Sequence, residues 1–252
     1  AAADRIEVVP LGVAERFAPG ASADDFATRY DLPDSFVLCV AVFEPRKNHA
    51  ALLAALRLLH DRGRRIGLVL VGRRGWRWRD PLKESRFADL RPWVRVHHDV
   101  PDADLPEFYR RAAAFAYPSF HEGFGLPPLE AMSCGTPVVC SNTTSLPEVG
   151  GPAALYVDPG RPGELADALD RVLGGRALRS RLIEAGLDAI NPVQITCRGM
   201  DAAGLKKDFG QHLTFWGGGC DTREIVSKGT PAQVRDHARQ PKHVLSPSPA
   251  SP

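Results

Sequence analysis

The sequence predicts an α/β domain built on a doubly wound, Rossmann-like parallel sheet between Ser35 and about Ala185, and two observations carry that prediction. The candidate strands are short and apolar throughout, so both faces of each must be covered. They also alternate with segments of helical period, the order expected when crossover helices join parallel strands.

Taken in order, "FVLCVAVF" (Phe36–Phe43) is the first β-rich run. "NHAALLAALRLLHDRG" follows as a helix, with Asn48 as N-cap and Gly63 as the stop. "IGLVLVG" (Ile66–Gly72) is a buried strand, succeeded by a loop and a weak helix near Leu82–Leu90. "WVRVHH" is a strand, and "DADLPEFYRRAAA" is a helix with acids in its first turn, where the macrodipole favours them. "AFAYPS", "PVVCS" and "AALYVD" are three further strands, and "GELADALDRVLGG" and "ALRSRLIEAG" are closing helices. Beyond them a helix is expected over Ala202–Phe209 and a strand at "LTFWGGG". A helix capped by Thr230, with Pro231 at its first position, comes next. Residues 241–252, "PKHVLSPSPASP", form a Pro/Ser-rich end expected to be disordered.

Composition narrows the function classes. The chain has 252 residues, net charge +2, 44% hydrophobic and 25% charged residues, which allows one large or two small domains with a real core. So balanced a charge gives no reason to expect nucleic acid as a partner. The five cysteines (Cys39, Cys134, Cys140, Cys197, Cys220) are odd in number and lack a CxxC spacing, which favours a reduced, cytoplasmic chain. No run approaches the length of a membrane span, and "AAADRIEVVPLGV" reads as the approach to a strand rather than a signal peptide.

The stretch that carries chemistry is "YPSFHEGFGLPPLEAMSCGTPVV". It leaves the carboxyl end of the strand "AFAYPS", where a doubly wound sheet binds its ligands. Gly123 and Gly125 allow a close backbone approach, and Pro127 and Pro128 suit the opening of a helix. The amides of Phe124, Gly125 and Leu126 are then free to face an anion, aided by the positive helix end. Glu122 and Glu130 bracket this cradle, with Glu130 expected in the first helical turn. An anion cradle with an acid at each side suits a sugar joined to a diphosphate. Read alone, the two acids are equally well explained as dipole partners of the helix.

The run "EGFGLPPLEAMSCGTPVVCSNTTSLPEV" resembles the E-x7-E signature of the C-terminal, donor-binding half of GT-B glycosyltransferases, specifically family 4. "VFEPRKNHAALLAA" is similar to that family's phosphate-binding strand–loop–helix, and the likeness extends from about Ile6 to Ala185. The resemblance implies a retaining glycosyltransferase that takes a hexose from a nucleotide-diphosphate sugar, without metal or other cofactor. GDP-mannose is the first choice, because "EPRKN" with "EGFGLPPLEAM" is common among mannosyltransferase-like members. It implies a catalytic role for Glu122 beside the donor sugar and a ribose contact for Glu130. Lys47, helped by Arg46, is to neutralise the diphosphate, and backbone near Val100 is to meet the base. Ala41-Val42 stands where many relatives carry a phosphate-binding arginine, so Arg46 or Arg73 is expected to substitute.

Outside that family setting these cations have plainer readings. Arg46 and Lys47 could be solvated residues ahead of a helix. "RRGWRWR" (Arg73–Arg79) reads as a surface turn covering apolar area. Cys134 and Cys140 are expected to pack as small hydrophobes, and His97-His98 lack companions at metal spacing.

Three segments are therefore expected: a donor-binding domain over 1–188, a second piece over 189–240 and the tail over 241–252. The second piece resembles the last part of uroporphyrinogen decarboxylase-like proteins. That implies a partial TIM-barrel-like α/β fragment too short to close a barrel, joined near Leu182–Ala189. The N-terminal, acceptor-binding half of a GT-B enzyme is expected to be missing, and an unidentified peripheral-membrane acceptor is compatible with the resemblance. The alternatives are a non-catalytic nucleotide-binding module and, on the strength of the second piece, a decarboxylase- or methyltransferase-like enzyme. A dehydrogenase is disfavoured because no GxGxxG follows the first strand.

Overall fold

Apolar sequence runs become strands buried on both faces. In the computed structural model, which describes residues 12–20, 25–78 and 80–188, six strands form one parallel sheet. They are β1 Phe36–Val40, β2 Gly67–Val71, β3 Val94–His97, β4 Ala114–Tyr117, β5 Val138–Ser141 and β6 Ala154–Val157. Their order is β3-β2-β1-β4-β5-β6. Every residue of β2, β4 and β5 is buried, whereas the edge strands β3 and β6 carry partly exposed positions. The expected doubly wound sheet is therefore present. Its order reverses between β1 and β4, and the loops leaving those two strands are the ones that reach a common crevice.

Among the described residues seven α-helices accompany it: α1 Phe26–Arg29, α2 His49–Asp61, α3 Leu105–Arg111, α4 Leu126–Ser133, α5 Leu146–Gly150, α6 Pro162–Gly174 and α7 Arg176–Asp188, all within the unit Glu15–Ala189. Helix α2 buries Leu52, Leu53, Leu56 and Leu59 along one face. It stops where predicted: Gly63, at φ +80°, turns the chain, and its N–H donates to the His60 carbonyl while that of Arg64 donates to Leu59. Arg62 pairs with Asp167 of α6 at 2.7 Å, and Arg64 with Asp170, tying α2 to α6.

Four local expectations change. Asn48 occupies the N-cap position of α2, but in the left-handed region (φ +57°) and without a capping side-chain bond. Its amide instead donates to the carbonyls of Pro118 (3.1 Å) and Pro159 (2.8 Å), so it laces three loops together. The first strand ends at Val40, although Ala41 and Phe43 still donate to the carbonyls of Val71 and Arg73. The weak helix near Leu82–Leu90 is two 3-10 turns, Pro81–Lys83 and Ser85–Trp93. Prolines at 81 and 92 interrupt α-helical bonding, and Phe87 and Leu90, three apart, share a face at three residues per turn. Glu130 sits in the second turn of α4, not the first, because that helix begins at Leu126.

Burial keeps the cysteines among the described residues inert. The thiols of Cys39, Cys134 and Cys140 are buried and free, each pushed up to about 12 chiefly by desolvation, as expected of small core hydrophobes. The helix at Ala202–Phe209, the "LTFWGGG" strand, the helix at Thr230, the barrel-like fragment and the 241–252 tail lie outside the described residues. So do Cys197 and Cys220.

Candidate functional site

Two loops build the site, one from each side of the switch point. After β1 the chain turns through Glu44 and a 3-10 turn, Pro45–Lys47, into α2. After β4 it runs through Pro118–Phe124 to Gly125, the N-cap of α4. The Arg46 carbonyl accepts from Phe120 N–H at 2.9 Å and from Ser119 Oγ at 3.1 Å, which fixes one loop on the other.

A charged cluster forms where they meet. Lys47 Nζ donates to Glu122 Oε1 and to Tyr117 Oη, each at 2.6 Å. Arg46 reaches the other carboxylate oxygen, Glu122 Oε2, at 2.8 Å, and also pairs with Glu44 at 2.6 Å. Lys47 and Glu122 are 7% and 8% exposed, so this is a buried pair, held by partners on both carboxylate oxygens. Formal charges balance: Glu44 and Glu122 against Arg46 and Lys47. Burial pushes Glu122 up, but hydrogen bonds from Lys47, Ser119 and Arg46 prevail and hold its carboxyl below the ordinary range. Lys47 spends two of its three donors here, leaving one for a ligand.

The loop between the glutamates is laced from behind. Glu122 N–H donates to Thr144 Oγ1 at 3.1 Å, and Ser145 Oγ donates to the Phe124 carbonyl at 2.6 Å. Among the described residues, no acceptor takes the N–H groups of Gly123, Phe124, Gly125 or Leu126. Unengaged donors at a helix start make an anion cradle. The two glycines differ. Gly125 lies at φ +117° and an added Cβ would fall 2.8 Å from Leu146 Cδ2, so only glycine fits. Gly123 has open space around it and no such need.

Glu130 stands apart from this cluster. Its Oε2 accepts from Tyr109 Oη at 2.7 Å. Burial raises its pKa, against the lowering effects of the Tyr109 hydroxyl and Arg16. Tyr109 is fully buried, and burial drives its own pKa well up, so it stays a hydroxyl donor. Phe115 lies between the two phenols, 5.5 Å from Tyr109 and 5.8 Å from Tyr117.

Of the residues expected from sequence, Arg46, Lys47 and Glu122 come together, with Gly123, Phe124, Gly125 and Leu126 on the loop beside them. Val100 is on the loop after β3, two strands away from β1 in the sheet. Arg73 is exposed after β2, and its guanidinium makes no hydrogen bond or ion pair among the described residues. Sequence reasoning missed Tyr117, Tyr109, Ser119, Thr144 and Ser145. Tyrosines at strand and helix ends read as core, and "SNTTS" reads as an ordinary turn, so only the fold reveals them as partners of the acids.

Fold and site together define a Rossmann-like α/β protein with a charged cluster at its topological switch point. The chain belongs to the glycosyl transferases group 1 family, whose model matches residues 22–188. It is 46% identical over 165 residues to the O-antigen chain mannosyltransferase B of Escherichia coli, covering 62% of this chain and 42% of that protein. It therefore spans less than half of that relative's length. Its fold matches that of Anabaena HepE, solved in complex with UDP-glucose, at TM-score 0.63 and 21% identity, over 72% of this chain and 51% of that one. The C-terminal domain of LpcC, a group 1 family protein from Francisella tularensis, matches at TM-score 0.61 and 21% identity, over 69% of this chain and 93% of that domain. No helix among the described residues is long and apolar enough to cross a membrane.

Proposed function

We propose that this chain is the donor-binding half of a retaining GT-B glycosyltransferase that transfers a hexose, with mannose the first choice, from a nucleotide-diphosphate sugar. The observation that carries the reading is the convergence of Arg46, Lys47 and Glu122 at the β1/β4 switch point, beside unengaged N–H groups at the start of α4. Membership of the group 1 family and the likeness to a mannosyltransferase support the class and the sugar. HepE's complex with UDP-glucose supports a nucleotide sugar as ligand of this fold.

In this reading the diphosphate settles between the cationic turn and the cradle of amides. Negative charge grows on it as the glycosidic bond breaks, and preorganised cations and N–H donors stabilise that charge most. Glu122 keeps Lys47 and Arg46 aimed before substrate arrives, then lies beside the donor sugar. Glu130 takes the ribose hydroxyls, backbone at Val100 meets the base, and Arg73 supplies further positive charge near the phosphates. No metal or other cofactor enters the scheme. The acceptor is held by residues outside this chain, and the reaction is placed in the cytoplasm.

Calorimetric titration with GDP-mannose, UDP-glucose and ADP-glucose tests it. Binding of one of them is expected, weakened by Glu130→Ala and kept by Glu122→Ala, which frees both cations for phosphate. Failure of all three to bind rejects the assignment. Binding without turnover on any acceptor, even beside a supplied N-terminal half, leaves a non-catalytic nucleotide-binding module instead.

A further inference from the structure

A pocket of about 770 Å³ opens between the β1–α2 turn and the loop after β2, lined by Glu44, Asn48, His49, Arg77, Trp78 and Glu84. Its size is that of a small-molecule site. Glu44, Pro45 and Asn48 of the β1–α2 turn form one wall of it, while Lys47, Glu122 and Glu130 take no part in its lining, so it opens beside the charged cluster rather than into it. Arg46, paired to Glu44 on one side and Glu122 on the other, stands between the two.

The lining has a definite chemistry. The Trp78 indole is backed by Phe43, with ring centroids 4.9 Å apart and planes 31° apart, and by the edge of His49 at 5.0 Å. Pro45 and Pro81 add apolar wall. The carboxylates do not make the pocket anionic. Glu44 is paired with Arg46 and Glu84 with Arg86, while Arg77 contributes a cation of its own. A balanced set of charges beside an aromatic face favours neither an anion nor a cation. It suits a neutral ligand that has both an apolar face and many hydroxyls.

Two further features mark the place as built. His49 is 2% exposed, yet neither ring nitrogen has a hydrogen-bond partner. Burial lowers its pKa to about 4, so near neutral pH its neutral ring keeps one donor and one acceptor unsatisfied just behind the pocket wall. Arg77 holds φ +51°, a left-handed conformation that a bulky residue rarely adopts and that recurs at ligand sites.

We propose that this pocket is a binding subsite for a neutral saccharide, its ring stacked on Trp78 and its hydroxyls met by Glu44, Glu84 and Asn48. The subsite is independent of nucleotide. It would hold a sugar on the same half of the molecule that is proposed to hold the donor.

Saturation-transfer NMR on the full chain with α-mannotriose as probe tests this. Transfer to the sugar protons is expected, unchanged when GDP and UDP are added in excess. Trp78→Ala is expected to weaken binding by roughly tenfold, and Glu84→Gln by roughly fivefold, the size of one lost stacking face or one charge-assisted hydrogen bond. Glu84 is exposed, so its variant keeps the fold even if Trp78→Ala disturbs the packing on Phe43; circular dichroism checks both. Trigalacturonate should bind less well than mannotriose. The inference is overturned by absent transfer, by loss of the signal on adding nucleotide, by wild-type affinity in Glu84→Gln, or by tighter binding of the acidic sugar. Because the readout is saccharide alone, a chain that binds no nucleotide sugar would still decide it.

Discussion

Glu122 and Glu130 are the same residue type at the two ends of one loop and helix, and the structure gives them opposite environments. Glu122 is buried but surrounded: Lys47, Ser119 and Arg46 hold it as a carboxylate. Glu130 is half-buried with a single phenol donor, and burial outweighs that donor. Charge partners, more than depth, decide which form of a buried acid the protein prefers. The proposed roles follow that division. An acid locked between two cations can organise charge for a phosphate, whereas an acid with one neutral donor is open to ligand hydroxyls.

The harshest way to break the contrast is to remove the cation. Lys47→Ala leaves Glu122 buried with Arg46 as its remaining cation and strips a donor from Tyr117. It should destabilise the protein by about 3 kcal/mol, the usual result of breaking a buried pair. Urea unfolding measures it, and a loss under 1 kcal/mol would mean Glu122 depends on Lys47 no more than Glu130 does.

Next in size is the loop that joins the two acids. Gly125→Ala forces a side chain into φ +117° and against Leu146, and should cost about 2 kcal/mol. Gly123→Ala meets nothing and should stay within about 0.5 kcal/mol. Thermal melts of the two variants side by side give the difference. Equal losses would show that the rigidity lies elsewhere than at the N-cap of α4.

The two tyrosines sharpen the comparison further. Tyr109→Phe removes the hydroxyl that Glu130 relies on, and should cost about 1.5 kcal/mol. Tyr117→Phe leaves Glu122 with both cations, so its loss should be about 0.5 kcal/mol, the value of one replaceable bond to Lys47. Denaturant midpoints at neutral pH decide, and a reversed ranking would mean Glu130 has a stronger partner than Tyr109.

Much of this was legible in the sequence, for physical reasons that differ by element. Doubly covered strands must be apolar throughout, so β1, β2, β4 and β5 announced themselves. The Pro127-Pro128 pair fixed the start of α4, because a helix accepts proline only where the N–H is unneeded. Arg46, Lys47 and Glu122 were legible as a group only through the family resemblance, since no spacing rule relates residues 75 apart. Asn48 was misjudged because a cap and a loop staple draw on the same residue type; which one forms depends on loops far away in sequence. The partners of the acids, Tyr117, Tyr109 and Thr144, were invisible for the same reason. The pocket at Trp78 escaped as well, because "RRGWRWR" read as a surface turn and His49 as one more residue of an amphipathic helix.

The smallest effect is the most diagnostic, because it has a sign as well as a size. The native pKa of Glu130 is raised, so the folded state binds more protons than the unfolded state between the ordinary glutamate value of about 4.3 and that raised value. Its contribution to stability is present in full below about pH 4.3 and is lost as pH rises through the native pKa. Glu122 behaves oppositely: its native pKa is lowered, so its contribution is present above the ordinary value and is lost as pH falls through the lowered one. Glutamine titrates in neither state. Stability of Glu130→Gln relative to wild type should therefore climb as pH rises and level off by neutrality, the Tyr109 hydroxyl still donating to the amide oxygen. Glu122→Gln should fall further behind wild type over the acid range and then level off. Urea unfolding of both variants and wild type from acid to neutral pH gives two difference curves. Curves of opposite slope keep the two glutamates in the separate environments described above, and curves of the same slope would place both acids under one dominant influence.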